Sequence, residues 1–429
     1  MCTLSFWQIA GAVEANPLSN YMSGAYPRTV SRFTALMDVS TGKILYCEND
    51  FCHRPPASLT KMTAAIVLIE NGKLTDTVTA PAAVKGTPES SLHLSPGEKI
   101  SLHDLLYAMM LRSANDTPIA GSYYLCGGIP PFVELMNKKV QEIGCANTHF
   151  VTPNGLYAAG HYSCAYDLAL IARYGLTHLP AFREIVRTRS YRVTRSIHKG
   201  DSLVTNTAMT FLSDFPGADG VKTGYISQAG HCFVGSASRH GWQLIAVALD
   251  SPECRSDVVQ LLSYGFAHFK PHLIYKRGYD AGVVSLTNRQ VAAVTGADLM
   301  DVDEAGAPQS LESSYDLRTV ALPIAQADAV TLGEKIGTVT MYHAGTPIMT
   351  VDAVAAQAVP GTPITVQARI GKSGFFIKAV IAAVAAIILL PLLYVGGRLL
   401  DLAIHARKIA KNSRRRRARV AEDIGAVDP

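Results

Sequence analysis

Three short motifs constrain this chain more than any other feature of its sequence. They are Ser58-Leu59-Thr60-Lys61, Ser113-Ala114-Asn115 and Lys222-Thr223-Gly224. Each occurs by chance in many proteins, but their order and surroundings together are those of one active site. The combination describes a serine nucleophile with a lysine base. The fold must therefore bring three distant segments into contact.

The first motif lies at the predicted start of a helix. Two prolines at 55–56 precede Ser58, and a largely apolar run, residues 62–69, follows it. Proline marks helix starts, so Lys61 should lie one turn beyond the serine on the same helix face. A serine hydroxyl needs a nearby base, and burial beside other cations lowers the pKa of a lysine enough to provide one. Taken alone, the motif is more often a capping serine and a surface lysine.

The second motif is predicted to link two helices. Ser113 and Asn115 follow an apolar helical run, residues 105–111, and precede Thr117-Pro118, where a new helix can begin. On such a link, Ser113 can pass a proton between base and leaving amine. The Asn115 amide can hold a peptide carbonyl and the lysine. An ordinary helix cap and turn is the alternative for this motif alone.

The third motif precedes two predicted strands, residues 230–237 and 243–249, which are separated by a glycine turn. A hairpin edge beside the nucleophile suits an extended peptide, because such a peptide can pair as an additional strand.

Each residue of this third motif has a candidate role in binding. Lys222 offers positive charge and Thr223 a hydroxyl for a substrate carboxylate, and Gly224 lets the backbone come close. The backbone N–H groups of Tyr225 and Ser58 would form the oxyanion hole.

With these residues, the chain resembles the low-molecular-mass penicillin-binding proteins, which are serine-type D-alanyl-D-alanine carboxypeptidases. The likeness is strong over residues 30–270 and weak over 271–370. Further segments that match the family are residues 35–46, 90–98, 132–137, 148–156 and 261–266. One departure is that Arg255 stands two residues before Asp257, whereas the family often has an arginine three residues before an acidic residue.

The resemblance implies an α+β fold of the β-lactamase/transpeptidase type over residues 27–270, an antiparallel sheet with flanking helices and a helical subdomain. It implies removal of the terminal D-alanine from peptidoglycan stem pentapeptides ending in D-Ala-D-Ala, and acylation by β-lactam antibiotics. Ser58 would be the nucleophile, Lys61 the base and Ser113 the proton relay. The residues expected to bind substrate are Asn115, Lys222, Thr223, Gly224 and Tyr225.

Two alternatives stay open. A class A β-lactamase would share the mechanism, but that family adds an E-x-x-L-N string, and residues 134–137 here are one residue too short for it. A non-catalytic wall-binding or sporulation scaffold could keep the fold. The intact set of motif residues argues against a scaffold.

Composition argues against a nucleic-acid-binding protein, and we expect neither a bound metal nor another cofactor. Of the 39 Lys and Arg residues, nine fall between 398 and 419, and the rest of the chain is slightly acidic. The eight cysteines contain no C-x-x-C pair, so no zinc site is expected. Between 271 and 370, short Val, Ile and Thr runs alternate with Gly, Pro and Asp, which predicts a small β-rich domain that carries no catalytic group.

The C-terminal region predicts a membrane anchor. Residues 375–396 are apolar apart from Lys378. At 1.5 Å per residue, about 22 residues cover roughly 33 Å, enough for a bilayer core. Four consecutive arginines, 414–417, then mark residues 397–429 as a cytoplasmic tail. We expect a single-pass protein of the cell membrane with its catalytic domain outside the cytoplasm.

Export then requires a signal, which residues 1–26 supply poorly. Residues 4–13 form a short apolar stretch, yet no Lys or Arg precedes Arg28. We expect a signal peptide truncated by a misplaced start codon. The alternative is that the C-terminal helix inserts without one.

Overall fold

The computed structural model describes residues 26–197, 202–286, 289–306, 314–322 and 329–360. The chain divides into two units, Met1–Thr362 and Pro363–Pro429, and every described residue belongs to the first. The fold is mixed α+β, as the sequence predicted.

Residues 26–268 alternate strands and helices. The strands are β1 (Phe33–Asp38), β2 (Ile44–Glu48), β3 (Thr77–Thr79), β4 (Lys99–Ser101), β5 (Ser190–Val193), β6 (Ser202–Thr205), β7 (Ala218–Ile226), β8 (Gly230–Arg239) and β9 (Trp242–Leu249). The helices are α1 (Thr60–Asn71), α2 (Leu102–Leu111), α3 (Asp116–Cys126), α4 (Ile129–Ile143), α5 (Ala165–His178), α6 (Pro180–Arg187), α7 (Met209–Asp214) and α8 (Cys254–His268).

A five-stranded antiparallel sheet of order β2-β1-β9-β8-β7 forms the framework of this region. β8 and β9 form the predicted hairpin across the Gly241 turn, and β7 pairs with the other side of β8 as an edge strand of the sheet. The third motif therefore lies where one side of the backbone has no neighbouring strand within this sheet. β3 pairs with β4 and β5 with β6 as small separate ribbons.

Strand β9 shows why both faces of the sheet are covered. Its side chains alternate between two apolar clusters, as the two-residue period of a strand requires. Those in the cluster that also contains the buried side of α1 and α2 are Ile245, Val247 and Leu249. Those in the cluster that contains α8 are Leu244, Ala246 and Ala248. Helix α1 is buried along residues 60–68, so the segment after the nucleophile is one of the most enclosed in the chain.

Residues from 269 onward form strands where the structure describes them. They are β10 (Phe269–Tyr275), β11 (Asp280–Leu286), β12 (Arg289–Thr295), β13 (Leu299–Glu304), β14 (Tyr315–Ala321), β15 (Lys335–His343) and β16 (Thr346–Ala355). Five make a sheet of order β11-β12-β16-β15-β14, while β10 pairs with β13. The strands share a core of their own that includes Val291, Ile336 and Val339. The Lys43 ammonium, between β1 and β2, donates to the fully buried Asp301 carboxylate of β13 at 3.1 Å.

Two expectations lie outside the described residues. One is the N-terminal segment up to residue 25, and the other is the apolar span 375–396 with the basic tail 397–429. Within the ranges that the structure describes, no helix has the length and apolarity needed to cross a bilayer.

Candidate active site

The nucleophile motif forms a tight turn that leads directly into α1. Residues Ala57–Leu59 make a single 3-10 turn, closed by a hydrogen bond from the Leu59 N–H to the Pro56 carbonyl at 3.1 Å. Ala57 has a φ of 48°, a conformation that residues with a side chain seldom adopt and that clusters at functional sites. This turn leaves Ser58 half-buried at the wall of a cavity.

Lys61 lies directly behind the serine. Its side chain is 0% exposed. The ammonium nitrogen Nζ is 2.8 Å from Ser58 Oγ, 2.7 Å from Asn115 Oδ1 and 2.7 Å from the Asn154 carbonyl oxygen. Three fixed contacts hold the amine in one position, so its lone pair can be presented to the serine hydroxyl.

The surroundings of Lys61 favour the neutral amine. Burial is the largest cause, and the nearby Lys222 cation the second, of a pKa well below the ordinary lysine value. The Asp116 carboxylate acts in the opposite direction and raises the pKa. A neutral amine at hydrogen-bond distance from a hydroxyl can accept its proton, as a general base must.

Ser113 and Asn115 lie on the short link between α2 and α3. Ser113 has a φ of 62° and lines the same cavity as Ser58. The Asn115 backbone N–H donates to the Ser90 carbonyl at 2.7 Å, and its amide nitrogen donates to the Pro88 carbonyl at 3.2 Å. These bonds orient the amide so that its oxygen accepts from Lys61.

The third motif borders the nucleophile from β7. Lys222 is 1% exposed, and its Nζ donates to the Thr223 carbonyl at 2.9 Å. Burial lowers the pKa of Lys222 to about 7. The Thr223 hydroxyl donates to Thr207 Oγ1 at 2.7 Å. A Cβ at Gly224 would lie 3.1 Å from the Ser58 nitrogen, so a glycine is what allows β7 to come this close.

These groups surround one cavity of about 360 Å³. Predicted residues in its lining are Ser58, Ser113, Asn115, Thr223, Gly224 and Tyr225. Lys61 and Lys222 are buried behind that lining. The structure therefore brings all eight predicted residues into one site, with the two lysines beneath its surface.

Comparison with known proteins decides the family. The family model described as D-alanyl-D-alanine carboxypeptidase matches residues 22–253, more than half of the chain. The chain belongs to the D-alanyl-D-alanine carboxypeptidase family. It is a serine-type hydrolase with penicillin-binding function, and neither the β-lactamase nor the scaffold alternative is favoured.

The carboxypeptidase has relatives with a similar sequence and fold. D-alanyl-D-alanine carboxypeptidase DacF of Bacillus subtilis is 30% identical over 68% of this chain and 81% of the relative. DacA of Haemophilus influenzae is 33% identical over 57% of this chain and 64% of its own length. Penicillin binding protein 5 from Haemophilus influenzae is a solved structure with a TM-score of 0.61 and 27% identity, covering 79% of this chain and 100% of that one. The transpeptidase-like fold is thereby confirmed.

Sequence reasoning missed the role of residues 154–155 in this enzyme. The Asn154 carbonyl oxygen accepts a hydrogen bond from Lys61 Nζ and is one of the three contacts that hold the amine. Gly155 has a φ of 84° and packs so tightly that a Cβ would lie 1.8 Å from the Ala57 carbonyl oxygen. A Pro-Asn-Gly turn at 153–155 is a clear signal for a reversal of the chain, but it does not say what the turn contacts.

The two-residue spacing of Arg255 and Asp257 places their side chains on different faces of α8. Residues two apart on a helix do not share a face. Arg255 is exposed and lines the cavity, whereas Asp257 is fully buried and accepts backbone N–H groups of Val30 and Ser31 at 2.7 Å and 3.0 Å. Arg255 therefore lines the cavity, while Asp257 lies on another face of α8 and is not placed as its acidic partner.

The described part of the chain shows no metal centre. Within it, no group of three or more His, Cys, Asp or Glu residues is arranged to hold an ion.

Proposed function

We propose that this enzyme removes the terminal D-alanine from peptidoglycan stem pentapeptides through an acyl-enzyme on Ser58. The observation that carries the proposal is the 2.8 Å contact between Lys61 Nζ and Ser58 Oγ in a site where the lysine is fully buried. Because the pKa of Lys61 is lowered, the neutral amine is available to activate the hydroxyl.

The chemistry follows in two steps. Ser58 Oγ attacks the carbonyl between the two D-alanines while its proton passes to Lys61 Nζ. The tetrahedral oxyanion binds to the backbone N–H groups of Ser58 and Tyr225. The C–N bond breaks, and the leaving D-alanine amine takes a proton from Lys61 through the Ser113 hydroxyl. Water then cleaves the ester, and Ser58 recovers its hydroxyl proton.

Substrate orientation depends on β7 and on Asn115. A stem peptide can pair in extended form with the edge of β7 that has no neighbouring strand in its sheet. The terminal carboxylate then lies near Thr223, with the charge of Lys222 behind it. The Asn115 amide, held beside Lys61, is placed to contact a peptide carbonyl.

The test uses a labelled penicillin and a D-Ala-D-Ala pentapeptide. Intact-protein mass spectrometry should show one penicilloyl group, peptide mapping should place it on Ser58, and D-alanine should be released from the pentapeptide. Ser58→Ala should abolish both. A label on another serine would sink the assignment. Rapid turnover of penicillin would favour a β-lactamase, and a folded wild-type protein with neither activity would favour a scaffold.

We further propose that residues 375–396 anchor the enzyme in the cell membrane, with the catalytic domain outside and residues 397–429 in the cytoplasm. The support is the apolar span, long enough for a bilayer, and the arginines 414–417 after it. A wall peptide as substrate also requires a site outside the cytoplasm. The β-rich region 271–370 would then space the site from the membrane.

Truncation before Gly374 tests this anchoring. The shortened protein should be soluble and should still bind penicillin, because the motif residues lie far upstream. External protease on intact cells should remove the catalytic domain and spare an epitope placed at the C-terminus. Cleavage of that epitope together with a protected catalytic domain would overturn the topology.

A further inference from the structure

A series of hydrogen bonds that involves none of the catalytic side chains of Ser58, Lys61 and Ser113 ends on the peptide unit that bears the Ser58 N–H. The imidazole of His161, only 5% exposed, lies with Nε2 at 2.9 Å from Thr60 Oγ1. The Thr60 hydroxyl in turn donates to the Ala57 carbonyl oxygen at 2.9 Å. His161 is about a hundred residues away in sequence, and its ring does not line the cavity.

The direction of each hydrogen bond that links His161, Thr60 and Ala57 is determined. The backbone N–H groups of Val151 and Thr152 both point at His161 Nδ1, at 2.9 Å and 3.2 Å. An N–H can only donate, so Nδ1 must be the unprotonated acceptor and Nε2 must carry the hydrogen of the neutral ring. Nε2–H then donates to the Thr60 oxygen, whose own hydrogen is directed to Ala57.

The ring is in this neutral state at neutral pH. Burial, assisted by the nearby His149, lowers the pKa of His161 to about 4. The chain of donors therefore keeps one fixed polarity over the range in which the enzyme would work.

The Ala57 carbonyl is held from two sides. Thr60 bonds it with its hydroxyl and its backbone N–H, and Gly155 packs against the oxygen. The carbonyl of Ala57 and the N–H of Ser58 belong to one planar peptide unit. A fixed carbonyl consequently fixes the direction of that N–H, and hydrogen bonds accepted by the carbonyl make the N–H a stronger donor.

We propose that His161 and Thr60 are positioning residues that aim and polarise the Ser58 N–H as a donor of the oxyanion hole. The proposal rests on the function above, in which that N–H stabilises the tetrahedral intermediate. Neither side chain touches the substrate. Their effect reaches the reaction through the orientation and polarity of one peptide bond.

Variants of both residues separate this role from general support of the fold. Thr60→Val keeps the shape and removes the hydroxyl, while Thr60→Ser keeps the hydroxyl. His161→Asn keeps an acceptor for the backbone N–H groups of Val151 and Thr152 but is too short to reach Thr60. His161→Gln keeps a donor towards Thr60 and loses that acceptor. Thermal unfolding checks that each variant is folded.

Two measurements are made on each folded variant. One is the second-order rate of acylation by benzylpenicillin. The other is the infrared stretching frequency of the acyl-enzyme carbonyl, assigned with penicillin carrying carbon-13 in the lactam carbonyl. This frequency reports the hydrogen bonds that the acyl oxygen accepts in the oxyanion hole, and a general loss of stability does not move it.

We expect Thr60→Val to slow acylation about tenfold or more, less than the 10²–10³-fold typical of deleting an oxyanion donor outright. Its carbonyl band should move to higher frequency, and Thr60→Ser should restore both values. The acylation rate and the carbonyl band of His161→Gln should lie closer to the wild-type values than those of His161→Asn.

A wild-type band and rate in Thr60→Val would overturn the inference, as would slower acylation with an unmoved band. If Thr60→Val does not fold, the two His161 variants decide. A His161→Asn enzyme whose acylation rate and carbonyl band lie closer to the wild type than those of His161→Gln would refute the proposal. Failure of the wild type to form any acyl-enzyme on Ser58 would instead refute the proposed function. The two failures are therefore distinguishable.

Discussion

Replacing Gly155 by alanine should damage catalysis far more than a matched glycine replacement elsewhere. A Cβ at position 155 would lie 1.8 Å from the Ala57 oxygen, 2.4 Å from the Ala57 carbonyl carbon and 2.9 Å from Thr60 Oγ1. Real Cβ atoms essentially never come closer than 3.0 Å to a neighbour. Either the 154–155 turn or the nucleophile turn must therefore move.

The required movement follows from these distances. Opening a 1.8 Å approach to 3.0 Å takes a shift of about 1.2 Å. If the turn at 154–155 moves, Lys61 loses the acceptor that holds its amine. If the nucleophile turn moves, the Ser58 N–H leaves the oxyanion hole. A misplacement of about 1 Å can reduce a rate about 10²-fold, so we expect at least that loss in acylation.

Gly278→Ala is the control. Gly278 has a φ of 85°, against 84° for Gly155, but nothing lies within 4 Å of its would-be Cβ. Both variants carry the same left-handed backbone strain, about 1–2 kcal/mol. Gly155→Ala adds crowding, which should lower the free energy of unfolding by about 1–3 kcal/mol more. Urea unfolding measures that difference, and stopped-flow labelling with a fluorescent penicillin measures acylation.

The two variants together test the reasoning. Gly278→Ala should acylate within about twofold of the wild type, because only local strain changes there. A folded Gly155→Ala enzyme with the same acylation rate as Gly278→Ala would refute the view that the 154–155 turn holds the nucleophile and its base in place.

Further predictions concern the two buried lysines. Lys61→Ala should fold and lose acylation by several orders of magnitude, while Lys222→Ala should mainly raise KM for substrates with a free carboxylate; near-normal acylation by Lys61→Ala at neutral pH would exclude the lysine base. Because burial lowers the pKa of Lys222 to about 7, its charge is lost as the pH rises through that value. KM for a carboxylate substrate should therefore rise above about pH 7 in the wild type and stay flat in Lys222→Arg; the same profile in both would contradict this. The lowered pKa also affects stability. Between pH 7 and 10.5 the unfolded chain binds more protons at Lys222 than the folded one, so the free energy of unfolding rises with pH over this range. Lys222 therefore destabilises the fold at neutral pH. Lys222→Met should raise the free energy of unfolding near pH 7, with a gain that shrinks towards pH 10.5, as urea titrations at both pH values would show.

Local patterns in the sequence were sufficient for much of the framework. The apolar run after Ser58 predicted α1, the glycine turn between residues 230–237 and 243–249 predicted the β8–β9 hairpin, and the short runs after 271 predicted strands. These elements are set by side-chain periodicity and by turn residues a few positions apart, which can be read directly from the chain. The three motifs, through their family resemblance, also named the eight residues that the structure brings together.

Only the tertiary structure decided how those residues are held. No periodicity indicates that the Asn154 carbonyl accepts from Lys61, that Gly155 packs on Ala57, or that His161 reaches Thr60. Each contact joins segments about a hundred residues apart, and its geometry depends on the packing of α1 against the loop at 150–161. Burial of the two lysines has the same origin, since desolvation depends on every element that covers a side chain rather than on its neighbours in sequence.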